Sequence, residues 1–264
     1  MAMIAGEGQH KNILGMRVDV TNIDNALNII QAWSSDSGGH YICVSNVHMC
    51  MECYDDQELQ SVVNAADLVV PDGRPLVWAQ KLLGEKSASQ VRGMDLVLKT
   101  CERMSKKGIK VGFYGGTPKI LDELKNALQQ RYIKLDIACL IAPPFRPLTE
   151  EEDKAYVSEI RDSGAQILFV GIGCPKQEYW MAEHKGRLSC VMLGVGAAFD
   201  FIAGQKRHAP RWMQFVGLEW LFRLLSEPRR LWKRYLKHNP RFVWYFSRQL
   251  IRVRVRNIRS GNRK

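Results

Sequence analysis

One carboxylate follows directly after a short apolar run. Residues 68–70 read Leu-Val-Val, which is typical of a buried parallel strand, and Pro71 ends that strand because it has no N–H to donate. Asp72 and Gly73 come next. Ligands of open α/β sheets bind at the carboxyl ends of the strands, so Asp72 is a candidate for acting on a substrate. An ordinary Asp-Gly turn is the alternative interpretation.

A glycine pair stands at the end of another predicted strand. Gly115 and Gly116 are followed by Thr117 and Pro118, where a strand gives way to a helix. Free backbone N–H groups and the helix dipole favour a phosphate group at such a point. The turn matches neither Gly-x-Gly-x-x-Gly nor a Walker loop, so it indicates neither NAD nor a P-loop nucleotide. A tight structural turn is the alternative interpretation.

A second glycine-containing turn carries three polar side chains. Residues 171–178 read Gly-Ile-Gly-Cys-Pro-Lys-Gln-Glu and also follow a predicted strand. The turn offers a cation at Lys176, an amide at Gln177 and a carboxylate at Glu178, which together could bind a substrate. The alternative interpretation is a helix N-terminus at which an early Glu is favourable.

Arg92 comes 20 residues after Asp72, at the start of the next predicted helix. A planar guanidinium binds phosphate oxygens in pairs, so Arg92 is a candidate for neutralising a diphosphate leaving group. A solvated Arg is the alternative interpretation. The sequence contains no Asp-x-Asp triplet, the usual metal-holding signature of nucleotide-sugar enzymes, and no Gly-x-Ser-x-Gly elbow of a hydrolase.

The cysteines favour a structural interpretation. Cys50 and Cys53 form a Cys-x-x-Cys pair beside His48, but a zinc site would need further ligands and none is near in sequence. We therefore interpret the pair as small residues on one face of a helix. The chain has seven cysteines and no visible export signal, which predicts reduced thiols in the cytosol.

The elements that must position these residues alternate between strand and helix. Apolar runs predict strands at 41–44, 67–70, 110–114, 135–140, 166–170 and 190–195, with one helix over 47–63 and others between the remaining strands. Thr149 and Glu152 resemble a capping box. Each predicted strand ends on glycine or polar residues. The pattern predicts an α/β fold with a Rossmann-like, doubly wound, mostly parallel sheet.

Charge divides the chain into two parts. Residues 205–264 contain 17 Lys and Arg against two acids, a net charge of +15, whereas residues 1–204 carry −4, within an overall +11. We therefore expect an α/β catalytic domain at 1–204 and a basic appendage at 205–264. No uninterrupted apolar run approaches the roughly 18 residues that span a bilayer.

The appendage combines positive charge with apolar residues. From Trp212 to Tyr235, apolar and aromatic residues recur at helical spacing with Arg and Lys between them, and Pro228 and Pro240 are expected to divide the segment. A basic amphipathic helix with Trp and Phe favours an anionic membrane surface. Binding of nucleic acid by residues 248–264 is the rival interpretation, and a helical pair packed on the core is the third.

Together these motifs resemble the WecG/TagA/CpsF glycosyltransferases (glycosyltransferase family 26), from about residue 13 to residue 245. The block at 64–73 contains Ala-Asp-Leu-Val-x-Pro-Asp-Gly. Further matching blocks, in the same order, lie at 91–96, 113–118, 142–145, 171–178, 194–204 and 219–235. Several blocks in one order make a far more specific match than any single motif.

The resemblance implies an inverting transferase that moves a sugar from a UDP-sugar to a sugar on a polyprenyl diphosphate, without a bound metal or other cofactor. It implies that Asp72 is the base, that Arg92 and Gln177 lie in the active site, and that the appendage attaches to the membrane. Arginines that would handle a diphosphate are Arg223, Arg229, Arg230 and Arg234. Further candidates for substrate binding are Ser45, Asn46, Gly115, Gly116, Phe145, Lys176 and Asp200.

One departure from the family pattern leaves the transferred sugar open. Many members have Thr-x-Asn-Pro/Ala-Glu where this chain has Val-Ser-Asn-Val-His at 44–48. Ser45 keeps a hydroxyl and Asn46 the amide, but His48 differs. The donor is expected to carry N-acetylmannosamine or glucose. The protein is expected at the cytoplasmic face of a bacterial inner membrane, and both a monomer and an oligomer are left open. A nucleic-acid-binding α/β protein is the alternative function, and the missing dinucleotide fingerprint disfavours an NAD-dependent oxidoreductase.

Overall fold

A parallel six-stranded sheet forms the centre of the computed structural model, which describes residues 9–36 and 38–261. Its strands lie in the order β4-β3-β8-β7-β5-β6, and every neighbouring pair is parallel. The strands are β3 His40–Ser45, β4 Leu68–Pro71, β5 Val111–Gly115, β6 Ile137–Ile141, β7 Ile167–Gly171 and β8 Val191–Gly194. An antiparallel hairpin precedes them, formed by β1 His10–Ile13 and β2 Met16–Asp19.

Helices cover both faces of this sheet. They are α1 Ile23–Trp33, α2 Val47–Asp55, α3 Gln57–Asn64, α4 Arg74–Leu82, α5 Gly93–Ser105, α6 Pro118–Arg131, α7 Glu150–Ser163, α8 Lys176–His184, α9 Ala198–Ile202, α10 Arg211–Phe215, α11 Glu219–Ser226 and α12 Pro228–Gly261. The doubly wound α/β class predicted from the sequence is confirmed.

Alternation along the strands divides the core between the two faces. In β7, Ile167 and Phe169 pack with α1, α5, α6 and α9, while Leu168 and Val170 pack on the opposite face with α2, α3, α7, α8 and the hairpin. Successive side chains of a strand point to opposite faces, and both faces here are covered. The strands are therefore continuously apolar, as the sequence indicated.

Two predicted divisions between helices differ from the structure. The single helix expected over 47–63 is two helices, because Asp56 has extended backbone and its carboxylate accepts the N–H groups of Glu58 (2.9 Å) and Leu59 (3.2 Å), which caps α3. Pro228 separates α11 from α12 as predicted, but Pro240 lies inside α12 and does not divide it. A proline removes one helical hydrogen bond, and packing beyond it can maintain the helix.

The predicted capping box is confirmed. The Thr149 hydroxyl accepts the N–H of Glu152 at 3.2 Å, and the Glu152 carboxylate accepts the N–H of Thr149 at 3.0 Å.

The long helix α12 packs onto α2 and the hairpin. Phe242 and Phe246 are buried and join the same core as β1 and α2. Arg241 makes a bidentate ion pair with Asp55, the shorter of its contacts being 2.5 Å. Gln249 accepts the N–H of Leu14 at 2.9 Å and donates to a hairpin carbonyl. One face of the appendage is therefore part of the α/β core, and the boundary at residue 204 stays a prediction.

Removing a buried ring from this seam should destabilise the whole protein. Phe242 is 5% exposed, so Phe242→Ala is expected to lower the free energy of unfolding by about 3–5 kcal/mol through lost burial and a cavity. The adjacent Val243 is 64% exposed, and Val243→Ala is the matched control, expected within about 0.5 kcal/mol of wild type. Chemical denaturation measures both, and equal effects would contradict this packing.

Candidate active site

The carboxyl ends of β3 and β4 bring three candidate residues together. The N–H groups of Asp72 and Gly73 both donate to the carbonyl of Ser45, at 2.8 and 3.2 Å. Asn46 caps α2 by accepting the N–H of Met49 at 3.2 Å. A Cβ at Gly73 would lie 3.3 Å from the Cα of Asn46, so the two turns are in close contact. The Pro-Asp-Gly turn is therefore fixed against the end of β3.

Asp72 is held against the N-terminus of α5. One of its carboxylate oxygens accepts the N–H of Gly93 at 2.9 Å, and its carbonyl accepts the side-chain amide of Gln90. Burial raises the pKa of Asp72 to about 6 and the charge of Glu219 acts in the same direction, whereas the Gly93 hydrogen bond and nearby arginines lower it. Asp72 is thus ionised at neutral pH yet more basic than an ordinary aspartate, which suits a general base.

Arg92 and other cations line a cleft. The cavity has a volume of about 900 Å³, within the usual range for ligand sites. Cationic and polar lining residues include Arg74, Arg92, Arg131, His208 and Gln214, with Asp95 as the acidic one. A guanidinium N–H of Arg92 donates to the side-chain carbonyl of Gln214. Asp72 is not among the lining residues, but its carboxylate accepts the N–H of Gly93, which follows the lining residue Arg92 in the chain. The carboxylate and the cleft therefore adjoin.

The appendage arginines occupy different surroundings. Arg223 stacks over Phe201, 4.9 Å from the ring centroid, and its charge lowers the pKa of Asp72. Arg230 is exposed and pairs with Glu227 at 2.6 Å, and Arg229 is exposed next to it. Arg234 is half-buried and lies over the ring of Tyr235. Of the four predicted arginines, Arg223 is therefore the one with an electrostatic effect on Asp72.

Gln177 joins two loops at the carboxyl ends of β7 and β8. Its side-chain oxygen accepts the N–H groups of Gly173 (3.3 Å) and Gly196 (3.2 Å), and its amide donates to Glu178 at 2.8 Å. Burial raises the pKa of Glu178 to about 7. The preceding Lys176 is exposed at the start of α8. In this arrangement Gln177 holds the backbone of the two loops together.

The remaining predicted residues lie along the same edge of the sheet. Ser45 is buried and its hydroxyl donates to the carbonyl of Val70 at 2.9 Å, so its side chain supports the strand ends. Gly115 has φ 129°, and a Cβ there would lie 2.6 Å from the backbone of the Gly171 region. Gly116, Phe145 and Asp200 also follow strands, with Phe145 exposed and Asp200 3.4 Å from Lys206.

Sequence reasoning missed several residues of the cleft. No role was predicted from the sequence for Arg74, Arg131 or His208. These residues belong to different elements, and each alone is typical of a solvated polar side chain.

The cysteines of the Cys-x-x-Cys pair are buried, as interpreted, and the thiol of Cys50 faces the carbonyl of Ile13.

The fold and the site are those of an α/β protein in which a basic carboxylate at the carboxyl end of a parallel strand adjoins a cation-lined cleft, an arrangement that suits an anionic ligand. The model of the Glycosyl transferase WecG/TagA/CpsF family matches residues 11–256, and the chain belongs to this family. It is a glycosyltransferase of cell-surface polysaccharide synthesis that uses a sugar donor and a lipid-linked acceptor. Among the described residues, no helix is long and apolar enough to cross a bilayer.

The raised pKa of Asp72 predicts a pH-dependent cost in stability. Because the folded protein binds this proton more tightly than the unfolded chain, wild type loses stability as pH rises from about 4 to about 6 and no further above that. Asp72→Asn removes the charge, so its Tm should exceed that of wild type by an amount that grows over this window and then stays constant.

Thermal denaturation between pH about 4 and about 8 measures the difference. Asp122→Asn, which changes an exposed carboxylate on α6, is the control and should show no such growth. A constant difference across the range would mean that Asp72 does not titrate as described.

Proposed function

We propose that the protein is an inverting glycosyltransferase that moves a hexose from a UDP-sugar to a sugar carried by a polyprenyl diphosphate. The observation that carries this proposal is the position and basicity of Asp72: its carboxylate has a pKa of about 6 and lies at a strand end, beside the cleft that Arg92 lines. The donor sugar is N-acetylmannosamine or glucose. Transfer requires no bound metal, because arginines and helix N-termini supply the positive charge.

Asp72 acts as the general base of this reaction. Its ionised carboxylate takes the proton from the attacking acceptor hydroxyl, whose oxygen forms a bond to the anomeric carbon. The bond from that carbon to the UDP phosphate oxygen breaks on the opposite face, which inverts the configuration. Since burial and Glu219 raise the basicity of Asp72, proton transfer near neutral pH is favourable.

Cations stabilise the departing UDP. Arg74, Arg92 and Arg131 all line the cleft. A guanidinium pairs with two phosphate oxygens at once, so these side chains can balance the charge that develops on the diphosphate. Arg223 is the appendage arginine whose charge acts on Asp72, and Arg229, Arg230 and Arg234 are proposed to meet the lipid diphosphate.

The other candidates position the substrates. Ser45 and Asn46 hold the Pro-Asp-Gly turn, and Gln177 holds the loops after β7 and β8. Gly115 and Gly116 lead into the N-terminus of α6, where backbone N–H groups suit a phosphate. Lys176, Phe145 and Asp200 are proposed to contact sugar or nucleotide from the rim of the same edge.

The appendage supports attachment to an anionic membrane surface. Large apolar side chains stay exposed along α11 and α12, at Leu225, Trp232, Leu236, Val243, Trp244, Ile251 and Val255. Spacings of four, seven and eight residues place most of them on one side of α12, away from the buried Phe242 and Phe246. Arginines and lysines flank this side, as in helices that lie in a membrane interface. We propose the cytoplasmic face of the inner membrane.

A transfer assay tests the proposed reaction. Purified protein is given a polyprenyl-diphosphate-linked sugar and a panel of UDP-sugars in the presence of EDTA, and UDP release is measured. Turnover with one donor is expected, with kcat/KM rising as pH increases through about 6. Asp72→Asn should lower kcat by about 10²–10⁴-fold, because no base accepts the hydroxyl proton.

Asp122→Asn is again the control and should keep the wild-type kcat. Near-wild-type turnover by Asp72→Asn would remove Asp72 from the role of base. Turnover that EDTA abolishes and that excess Mg²⁺ or Mn²⁺, without zinc, restores would contradict metal-independent transfer. No turnover with any donor, from folded protein supplied with lipid, would count against the proposed donor and acceptor.

Vesicle sedimentation tests the proposed surface. Wild type should bind vesicles containing anionic lipid more tightly than neutral vesicles, and salt should weaken the binding. A Trp232→Ser, Leu236→Ser and Trp244→Ser triple variant should bind more weakly, because its apolar side no longer enters the interface. Ile133→Ser removes an exposed apolar side chain elsewhere and is the control. Retention on DNA or RNA without vesicle binding would favour the nucleic-acid alternative.

A further inference from the structure

Two histidines and a glutamate meet where α12 packs on α2. His48 and Glu52 lie one helical turn apart on α2, and His238 comes from α12. His238 Nε2 is 3.2 Å from Glu52 Oε1, and His48 Nε2 is 3.8 Å from the same oxygen. One ligand atom from each residue lies within 4.8 Å of the other two. The two imidazole rings meet edge to face, with centroids 5.2 Å apart.

The chemistry of this cluster is that of a transition-metal ligand set. His238 is 3% exposed, Glu52 is the polar contact of its Nε2, and its Nδ1 has no hydrogen-bond partner among the described residues. Imidazole nitrogens and a carboxylate oxygen are ordinary ligands of zinc in proteins.

Two of the surrounding cations, Arg241 and Lys237, have another carboxylate available. Asp55 pairs with Arg241 in bidentate fashion and lies 3.7 Å from the exposed Lys237. Lys237 is 3.9 Å from Glu52, so its closer carboxylate partner is Asp55. Glu52 can therefore serve the two imidazoles as the anionic ligand.

We propose that His48, Glu52 and His238 bind one Zn²⁺ ion, with water as the fourth ligand, and that this ion fastens the appendage helix α12 to α2. Zinc bonds to nitrogen and oxygen are about 2.0–2.2 Å long, so ligand atoms of a tetrahedral site stand about 3.3 Å apart. His238 and Glu52 already have this separation, and His48 reaches it by a small rotation of its side chain.

The proposed zinc site does not include the groups proposed to carry out sugar transfer, and zinc binding does not require that the proposed reaction is correct. The cysteines beside this cluster are not part of it, because Cys50 and Cys53 face the buried core. The site lies close to the catalytic turn, however: α2 begins after Asn46, which contacts Gly73. An ion at this place fixes the position of α12 relative to the end of β3.

Metal binding to the full-length, reduced protein tests the proposal. After treatment with a chelator and desalting, the protein is titrated with Zn²⁺ in competition with a chromophoric chelator, and Tm is measured with and without zinc. Wild type should bind one equivalent, and zinc should raise its Tm, since the ion binds the folded state. His48→Ala should lose both effects. His48 is partly exposed, so this variant is expected to fold.

Further variants and a spectroscopic probe separate the alternatives. Glu52→Gln and His238→Ala should also lose the zinc-dependent rise in Tm, whereas His10→Ala, which changes an exposed histidine of β1, should keep it. Co²⁺ in place of zinc should give visible bands of a tetrahedral site without a thiolate charge-transfer band. No stoichiometric binding by wild type, an undiminished Tm rise in His48→Ala, or a thiolate band would each overturn the proposal.

Discussion

The attachment of the Pro-Asp-Gly turn to the end of β3 is the interaction on which the site depends. Two N–H groups, from Asp72 and Gly73, share the carbonyl of Ser45, and the Asp72 carboxylate accepts the N–H of Gly93. These contacts leave the carboxylate little freedom and little water, and the loss of hydration raises its pKa. A single backbone arrangement therefore positions the side chain and sets its basicity.

The appendage contributes to that site rather than only adjoining it. Gln214 accepts a hydrogen bond from Arg92, while Glu219 raises and Arg223 lowers the pKa of Asp72. His208, Ala209, Pro210 and Gln214 of the appendage also line the cleft. In a glycosyltransferase whose acceptor is lipid-linked, this coupling offers a physical route by which the position of the tail affects the chemistry. The two charges act in opposite directions, so a movement of α11 would change the basicity of Asp72.

Helix α12 serves two faces at once. One side carries Phe242 and Phe246 into the core beside α2, and the other leaves large apolar side chains exposed between cations. The buried side explains why the helix continues through Pro240, since packing on both sides of the proline outweighs one missing hydrogen bond. The same seam brings His238 to His48 and Glu52, so the contact that anchors the tail also assembles the proposed zinc ligands.

The sequence alone determined the parts of this protein that depend on neighbouring residues. Apolar runs that end on glycine or polar residues fixed the strands, the doubly wound class and the place of Asp72 at a strand end, and the +15 charge marked the tail. Tertiary structure decided what depends on packing: the break at Asp56, the continuous helix through Pro240, the entry of Arg131 and His208 into the cleft, and the meeting of His48 with His238. Local patterns constrain backbone conformation over a few residues. Contacts between residues distant in sequence form only when the helices pack against the sheet and against each other with particular faces buried.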